Sequence, residues 1–146
     1  MASWMVVEDE PDLYEMLMAM TETMGVSGVA FTNGEDTVSW IDDVDANRIN
    51  GDHPELALLD IRLPGEIDGV GVSARLRSSP VLGDMVIILM TAYHFSAKDE
   101  RSLLRKSRAD FLIYKPLPGI KALNQLLQDG LAKRKRRARR RKKDNL

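Results

Sequence analysis

Short apolar runs alternate with amphipathic helical patterns along the chain. The runs are continuously apolar and end at polar or turn-forming residues, which predicts buried strands. Five strands are predicted, at residues 4–7, 26–31, 56–60, 85–91 and 110–114. A helix is predicted after each strand. The first covers residues 11–24, the second begins at Asn33 and Gly34, and the third covers residues 70–77. The fourth is capped by Ser96 and ends near Lys106, and a last helix follows the fifth strand. The apolar stripe of that last helix consists of Ile120, Leu123, Leu126, Leu127 and Leu131.

This order of elements predicts the class of the fold. Strands that are apolar on both sides must be covered on both sides, so the sheet is parallel and has helices on each face. We therefore predict an α/β protein with a doubly wound, five-stranded parallel sheet. Ligands of such sheets bind beyond the carboxyl ends of the strands.

Polar side chains stand at four of the five predicted strand ends. Glu8 and Asp9 follow the first strand, Asp60 ends the third, Thr91 ends the fourth, and Lys115 follows the fifth. Three crowded carboxylates need a counter-charge, which a hard cation such as Mg²⁺ and a lysine ammonium can supply. Such an arrangement suits phosphoryl transfer, and a carboxylate can itself be the nucleophile that forms an aspartyl phosphate.

Four short motifs at these strand ends carry a resemblance to a known family. They read V-V-E-D-E-P, L-L-D-I-R-L-P-G-E-I-D-G, I-L-M-T-A and Y-K-P, in this order. From about Trp4 to Leu131 the chain resembles the receiver domain of bacterial two-component response regulators. The resemblance implies a flavodoxin-like sheet with strand order 2-1-3-4-5 and a receiver body at residues 1–132.

The resemblance also implies a role for each site residue. Asp60 would accept the phosphoryl group. Asp9 would ligate Mg²⁺ directly and Glu8 mainly through water, with Asp60 and the backbone carbonyl of Arg62 as further ligands. The donor would be a phosphohistidine on a histidine kinase or a histidine phosphotransfer protein. The domain would then be a regulatory phosphoacceptor without a dedicated turnover activity.

Two further positions follow from the same resemblance. Thr91 would hydrogen-bond the phosphoryl group, and Lys115 would pair with one of its oxygens. The Lys115–Pro116 peptide would be cis. The fifth strand reads F-L-I-Y-K-P, so either Phe111 or Leu112 would fill the switch position that responds to Thr91.

The residues around Asp60 bear on how the phosphoryl group is lost. Phosphatases of the haloacid-dehalogenase type place a second aspartate two residues after the nucleophile, whereas Arg62 stands there in this chain. Arg62 and Tyr93 are bulky and occupy positions that tune dephosphorylation in relatives. We therefore expect a slowly decaying phosphoryl group.

The net charge of −1 conceals two oppositely charged parts. Of the 21 basic residues, 10 lie in residues 133–143, and of the 22 acidic residues only Asp144 lies beyond residue 132. The body therefore carries −10 and the tail, residues 133–146, carries +9. The tail is predicted either to extend the last helix or to be disordered. Its basic residues are Lys133, Arg134, Lys135, Arg136, Arg137, Arg139, Arg140, Arg141, Lys142 and Lys143.

Several partners suit this tail. Nucleic acid phosphates would bind it without regard to sequence, an anionic membrane surface would attract it, and so would an acidic body of this or another copy. A purely solubilising tail is the remaining alternative. A nucleic-acid-associated protein with a modulating receiver body, and a scaffold that keeps the site as a relic, are the alternatives to the signalling switch. The downstream protein and homodimer formation stay open.

The composition excludes several classes of site. The chain has no cysteine, which excludes disulfides and thiolate chemistry. The longest apolar run, residues 85–90, is too short to span a bilayer, and no secretory signal is recognisable near Met1. We expect a cytoplasmic, stand-alone receiver, since only a short segment follows Leu131.

Overall fold

The computed structural model describes residues 3–145, and within them strands and helices alternate five times. Residues 1 and 2 of the predicted body and residue 146 of the tail lie outside the described residues. The strands are β1 (Ser3–Val7), β2 (Ser27–Phe31), β3 (Leu56–Asp60), β4 (Val86–Thr91) and β5 (Phe111–Tyr114). The helices are α1 (Pro11–Thr23), α2 (Gly34–Asp45), α3 (Gly69–Ser78), α4 (Ala97–Ser107) and α5 (Ile120–Asp144).

The five strands form one parallel sheet in the order β2-β1-β3-β4-β5. This confirms the predicted doubly wound, flavodoxin-like fold. Val7 pairs with Leu59, Asp60 with Met90, and Thr91 with Tyr114. The carboxyl ends of β1, β3, β4 and β5 therefore meet along one edge of the sheet.

Each face of the sheet has its own hydrophobic core. Side chains alternate along a strand, so Leu59 and Leu89 point to one face while Leu58 and Ile88 point to the other. The first face packs against apolar residues of α2, α3 and α4, and the second packs against α1 and α5. Both faces are covered, which explains why the strands are apolar throughout.

Local capping sets where three helices begin. The side chain of Asn33 accepts a hydrogen bond from the amide of Asp36 at 2.7 Å, and Asp68 accepts one from Gly71 at 2.9 Å. Ser96 accepts a hydrogen bond from the amide of Asp99 at 3.1 Å. The predicted Ser96 cap is thus present, and these caps satisfy amides that the first helical turn leaves free.

The last helix differs from expectation at its first residue. Ile120, predicted in the apolar stripe, is 62% exposed because it opens α5 beyond the end of the sheet. Leu123, Leu127 and Leu131 are buried. The helix continues through the basic segment to Asp144. Within residues 3–145, no helix is both long and apolar enough to cross a membrane.

Candidate functional site

A cavity of about 610 Å³ opens over the carboxyl ends of β3 and β4. Its lining includes Asp9, Asp60, Arg62, Thr91 and Lys115. The sheet register brings these residues together from four separate segments of the chain. Of the residues predicted from the strand ends, Asp9, Asp60, Thr91 and Lys115 therefore line one hollow, and Glu8 is buried beside it.

Three carboxylates form a tight cluster in this hollow. Glu8, Asp9 and Asp60 each offer an oxygen, and these oxygens all lie within 4.8 Å of one another. Asp60 is 5% exposed and Glu8 is fully buried, whereas Asp9 is exposed. Glu8 Oε1 accepts a hydrogen bond from the amide of Glu10 at 3.1 Å, whereas Glu8 Oε2 makes no hydrogen bond within residues 3–145 and contacts the Lys115 ammonium as an ion pair. A buried carboxylate oxygen with a free lone pair, beside two other carboxylates, fits a hard divalent cation.

The Lys115 ammonium lies between two of these carboxylates. Its Nζ is 3.2 Å from Asp60 Oδ2 and 3.1 Å from Glu8 Oε2. The backbone of Lys115 is fixed as well, since its amide donates to the carbonyl of Thr91 at 2.7 Å. The Lys115–Pro116 peptide is cis, as the resemblance implied. The lysine thus offsets part of the negative charge of the cluster.

Burial shifts the protonation of the cluster. Removal from water raises the pKa of the Glu8 carboxyl to about 7, and the charge of Asp60 adds to this rise. Burial also raises the pKa of Asp60, although Lys115 opposes that shift. Burial alone would lower the pKa of Lys115, but Asp60 and Glu8 outweigh it and the pKa is raised. The site therefore favours a bound positive charge.

Close contacts of the backbone fix the ends of β3 and β4 beside the site. The amide of Arg62 points towards Asp60 Oδ1 at 3.4 Å. Gly69 begins α3 directly beneath this strand end, and a Cβ there would lie 2.7 Å from the Cα of Ile61. Thr91 is buried, and its hydroxyl oxygen accepts a hydrogen bond from the amide of Tyr93 at 3.0 Å.

Side chains alternate between the two faces of the sheet along β5, so the two candidates for the switch position, Phe111 and Leu112, lie on opposite faces. Leu112 packs into the core that α4 covers, on the same face as Leu89 and Thr91. Phe111 packs into the opposite core, where its ring approaches Gly130 of α5. Phe111 therefore lies on the opposite face of the sheet from Thr91, whereas Leu112 lies on the same face.

Sequence reasoning missed two sets of contacts near the site. Glu35 Oε1 accepts hydrogen bonds from the amides of Glu66 and Ile67 at 2.8 and 2.9 Å, which ties the loop after Asp60 to α2. The Tyr114 hydroxyl donates to Glu100 Oε2 at 2.7 Å. Only tertiary packing brings these partners together, and no local pattern indicates them.

Comparison with known proteins identifies the family. A family model described as the response regulator receiver domain matches residues 4–128. A 14.6 kDa protein from Leptolyngbya boryana is 27% identical over 128 residues, which span 88% of this chain and 89% of that protein.

Solved structures share the fold. A CheY-like response regulator receiver domain protein from Methanospirillum hungatei JF-1 superposes with a TM-score of 0.76 at 18% identity, over 94% of this chain and 98% of that one. The receiver domain of a sensor histidine kinase from Pseudomonas aeruginosa PAO1, solved with a magnesium ion in its active-site cleft, has a TM-score of 0.72 at 21% identity. That match covers 90% of this chain and 98% of the other. Because the family match covers most of the sequence, the chain belongs to the response regulator receiver domain family of two-component signalling.

Proposed function

We propose that the chain is a phosphorylation-dependent signalling switch whose phosphoacceptor is Asp60. One observation carries this proposal: the Asp60 carboxylate lies in an open cavity with an ammonium 3.2 Å away and two further carboxylates within 4.8 Å. A nucleophilic carboxylate needs access for the donor and positive charge for the incoming phosphoryl oxygens. Both are present around Asp60.

The chemical step transfers a phosphoryl group from a phosphohistidine. An oxygen of Asp60 forms a bond to phosphorus while the phosphorus–nitrogen bond breaks. The electron pair of that bond stays on the imidazole nitrogen, which takes a proton from water. The Lys115 ammonium stabilises the phosphoryl oxygens during the transfer, and the Thr91 hydroxyl donates to one of them in the product.

The donor set suits Mg²⁺. Asp9, Asp60 and the carbonyl of Arg62 would be direct ligands, and Glu8 would act mainly through water. When bound, Mg²⁺ supplies the positive charge that neutralises phosphoryl oxygens. The raised pKa of Glu8 and Asp60 supports this assignment, because Lys115 is shared between the two carboxylates and does not outweigh the effect of their burial.

The donor is a protein, either a histidine kinase or a histidine phosphotransfer protein. An apolar groove of about 700 Å³ adjoins the site and shares Lys115 with it. Met16 and Ile120 in this groove are 38% and 62% exposed. Apolar side chains left exposed beside a phosphoacceptor suit a partner that covers them while its phosphohistidine reaches Asp60.

The phosphorylation of Asp60 is transmitted to the surface of the protein through Thr91 and Leu112. When Asp60 is phosphorylated, the Thr91 hydroxyl moves towards the phosphoryl group. The hydrogen bond between the Tyr93 amide and the Thr91 hydroxyl is then broken. Leu112 lies on the same sheet face as Thr91 and packs into the core that α4 covers. The surface formed by α4 and β5 would therefore change, and a downstream protein would read that change.

Labelling with a small phosphodonor tests the proposal. Wild-type protein incubated with acetyl phosphate and Mg²⁺ should acquire a phosphoryl group, and Asp60→Asn should acquire none. Asp12→Asn is the matched control, because Asp12 is an exposed aspartate in the first turn of α1. Labelling of Asp60→Asn would refute the assignment. Failure of the wild type to take up label or to bind beryllofluoride with Mg²⁺ would favour the scaffold alternative.

A further inference from the structure

Eight of the ten basic residues between Lys133 and Lys143 fall on two different faces of α5. Arg134, Arg137 and Arg141 are spaced by three and four residues, so they lie on one face. This inner face contacts the body at the amino ends of β4 and β5, the opposite edge of the sheet from Asp60.

Two aspartates hold the inner face. The carbonyl of Asp84 accepts a hydrogen bond from Arg134 Nε at 2.8 Å, and its carboxylate pairs with Arg141 Nη1 at 2.7 Å. Asp110 lies 3.4 Å from Arg137 Nη1 and also pairs with Arg77 at 2.7 Å. Contacts along two turns fix both the position and the rotation of the helix on the body.

The outer face remains free. Its five residues are exposed, and their side chains have no hydrogen bond or ion pair to any residue between 3 and 145. At about 100° per residue they share an arc of about 120°, and they extend about 12 Å along the helix axis. Lys135 lies beside the body, where it lines a pocket with Trp4 and Val26. These residues are Lys135, Arg136, Arg139, Lys142 and Lys143.

We propose that this outer face binds the phosphate backbone of duplex DNA. Five cations on a helix of fixed orientation can neutralise several phosphates at once and release their counterions. Because the body already holds the helix, little conformational freedom is lost on binding. Phosphate contacts carry no sequence information, so the binding is independent of sequence.

The composition of the face favours duplex DNA over other polyanions. Ala138 is the only uncharged residue between Lys133 and Lys143, so the segment lacks the apolar face that an interfacial membrane helix inserts. It has no aromatic side chain on which unpaired bases could stack, which disfavours single strands. An α-helix fits the wide major groove of B-DNA, whereas the major groove of duplex RNA is too narrow to admit it.

The proposal is tested with two matched triple variants of the full chain. The outer variant is Arg136→Gln, Arg139→Gln and Lys143→Gln, and the inner variant is Arg134→Gln, Arg137→Gln and Arg141→Gln. Both remove three charges from the same helix. Fluorescence anisotropy with a labelled DNA duplex gives the affinity at a series of salt concentrations.

We expect the outer variant to bind about tenfold or more weakly than the wild type at low salt, and its salt slope to fall by about 0.9 for each lost phosphate contact. The inner variant should keep most of the affinity and slope. Phosphoryl labelling of Asp60 should be unchanged in both variants, and Asp60→Asn should still bind DNA. The DNA proposal and the signalling proposal can therefore fail separately.

Four results would overturn the inference. Equal losses in the two variants would show that charge density matters and not the face. Tighter binding to duplex RNA, tighter binding to vesicles of anionic lipid, or tail-dependent self-association in place of DNA binding would each assign the face to another partner.

Discussion

Lys115 Nζ lies 3.2 Å from Asp60 Oδ2, so the proposed nucleophile is held in an ion pair within a largely buried site. The same ammonium is 3.1 Å from Glu8 Oε2. One lysine therefore serves two carboxylates from different strand ends. The arrangement leaves the cluster with a net negative charge, which a bound divalent cation would neutralise.

Replacement of Lys115 by methionine should leave two buried carboxylates without their partner. We expect the free energy of unfolding in EDTA to fall by about 3 kcal/mol, since an unpaired buried charge is costly. Addition of Mg²⁺ should restore part of this loss, while labelling by acetyl phosphate should fall about tenfold or more. Urea unfolding with and without Mg²⁺ measures the first effect. Lys121→Met, at an exposed site on α5, is the control and should change neither quantity.

The raised pKa of Glu8 predicts a pH dependence of stability in the metal-free protein. The native carboxyl has a pKa of about 7 against an ordinary value of 4.5, so the native state holds more protons than the unfolded state between these values. The free energy of unfolding should then decrease as pH rises through this window.

Glu8→Gln isolates this contribution. In EDTA, the free energy of unfolding of the wild type should fall by about 1–3 kcal/mol relative to that of Glu8→Gln as the pH rises from about 5 to about 8. Urea unfolding of both proteins across this range gives the difference. Glu22→Gln, an exposed glutamate of α1, serves as the control. Parallel stability curves for wild type and Glu8→Gln would contradict the prediction.

Two glycines in the first turn of α3 should respond differently to alanine. A Cβ at Gly69 would lie 2.7 Å from the Cα of Ile61, and backbone cannot yield there without moving the end of β3. A Cβ at Gly71 would meet two side-chain atoms, a methyl of Ile67 at 3.3 Å and Asp68 Oδ1 at 3.6 Å. Gly69→Ala should destabilise the fold by at least about 2 kcal/mol, whereas Gly71→Ala should stay within about 1 kcal/mol of wild type. Thermal unfolding compares the two.

The phosphoryl group on Asp60 should decay slowly. Arg62 and Tyr93 both line the cavity above Asp60, and Tyr93 packs edge-on against Phe95 with ring centroids 4.8 Å apart. These bulky groups hinder the approach of a hydrolytic water. Arg62→Ala and Tyr93→Ala should each shorten the lifetime several-fold, as measured by loss of label after removal of the donor. A wild-type lifetime of seconds or less would contradict this prediction.

The strand ends could be predicted because their signals are local. An apolar run followed by a carboxylate, as at Leu56–Asp60, specifies a strand and places its polar end without knowledge of other segments. The sheet order then brings Asp60, Thr91 and Lys115 to one cavity.

The remaining features depend on contacts between distant segments. Glu35 holds a loop about 30 residues away, and Arg141 reaches Asp84 across the fold. Nothing in the neighbouring sequence distinguishes these residues from solvated surface charges. The face of the sheet on which Phe111 lies could not be predicted either, because it depends on the register of β5 against β4.

The most direct measurement is the location of the phosphoryl group. Wild-type protein is treated with acetyl phosphate and Mg²⁺, digested, and its peptides are sequenced by mass spectrometry. The account predicts one modified residue, Asp60, with modification lost in EDTA and in Asp60→Asn. A phosphoryl group on Asp9, on Asp68 or on a hydroxyl side chain, with Asp60 unmodified, would contradict it.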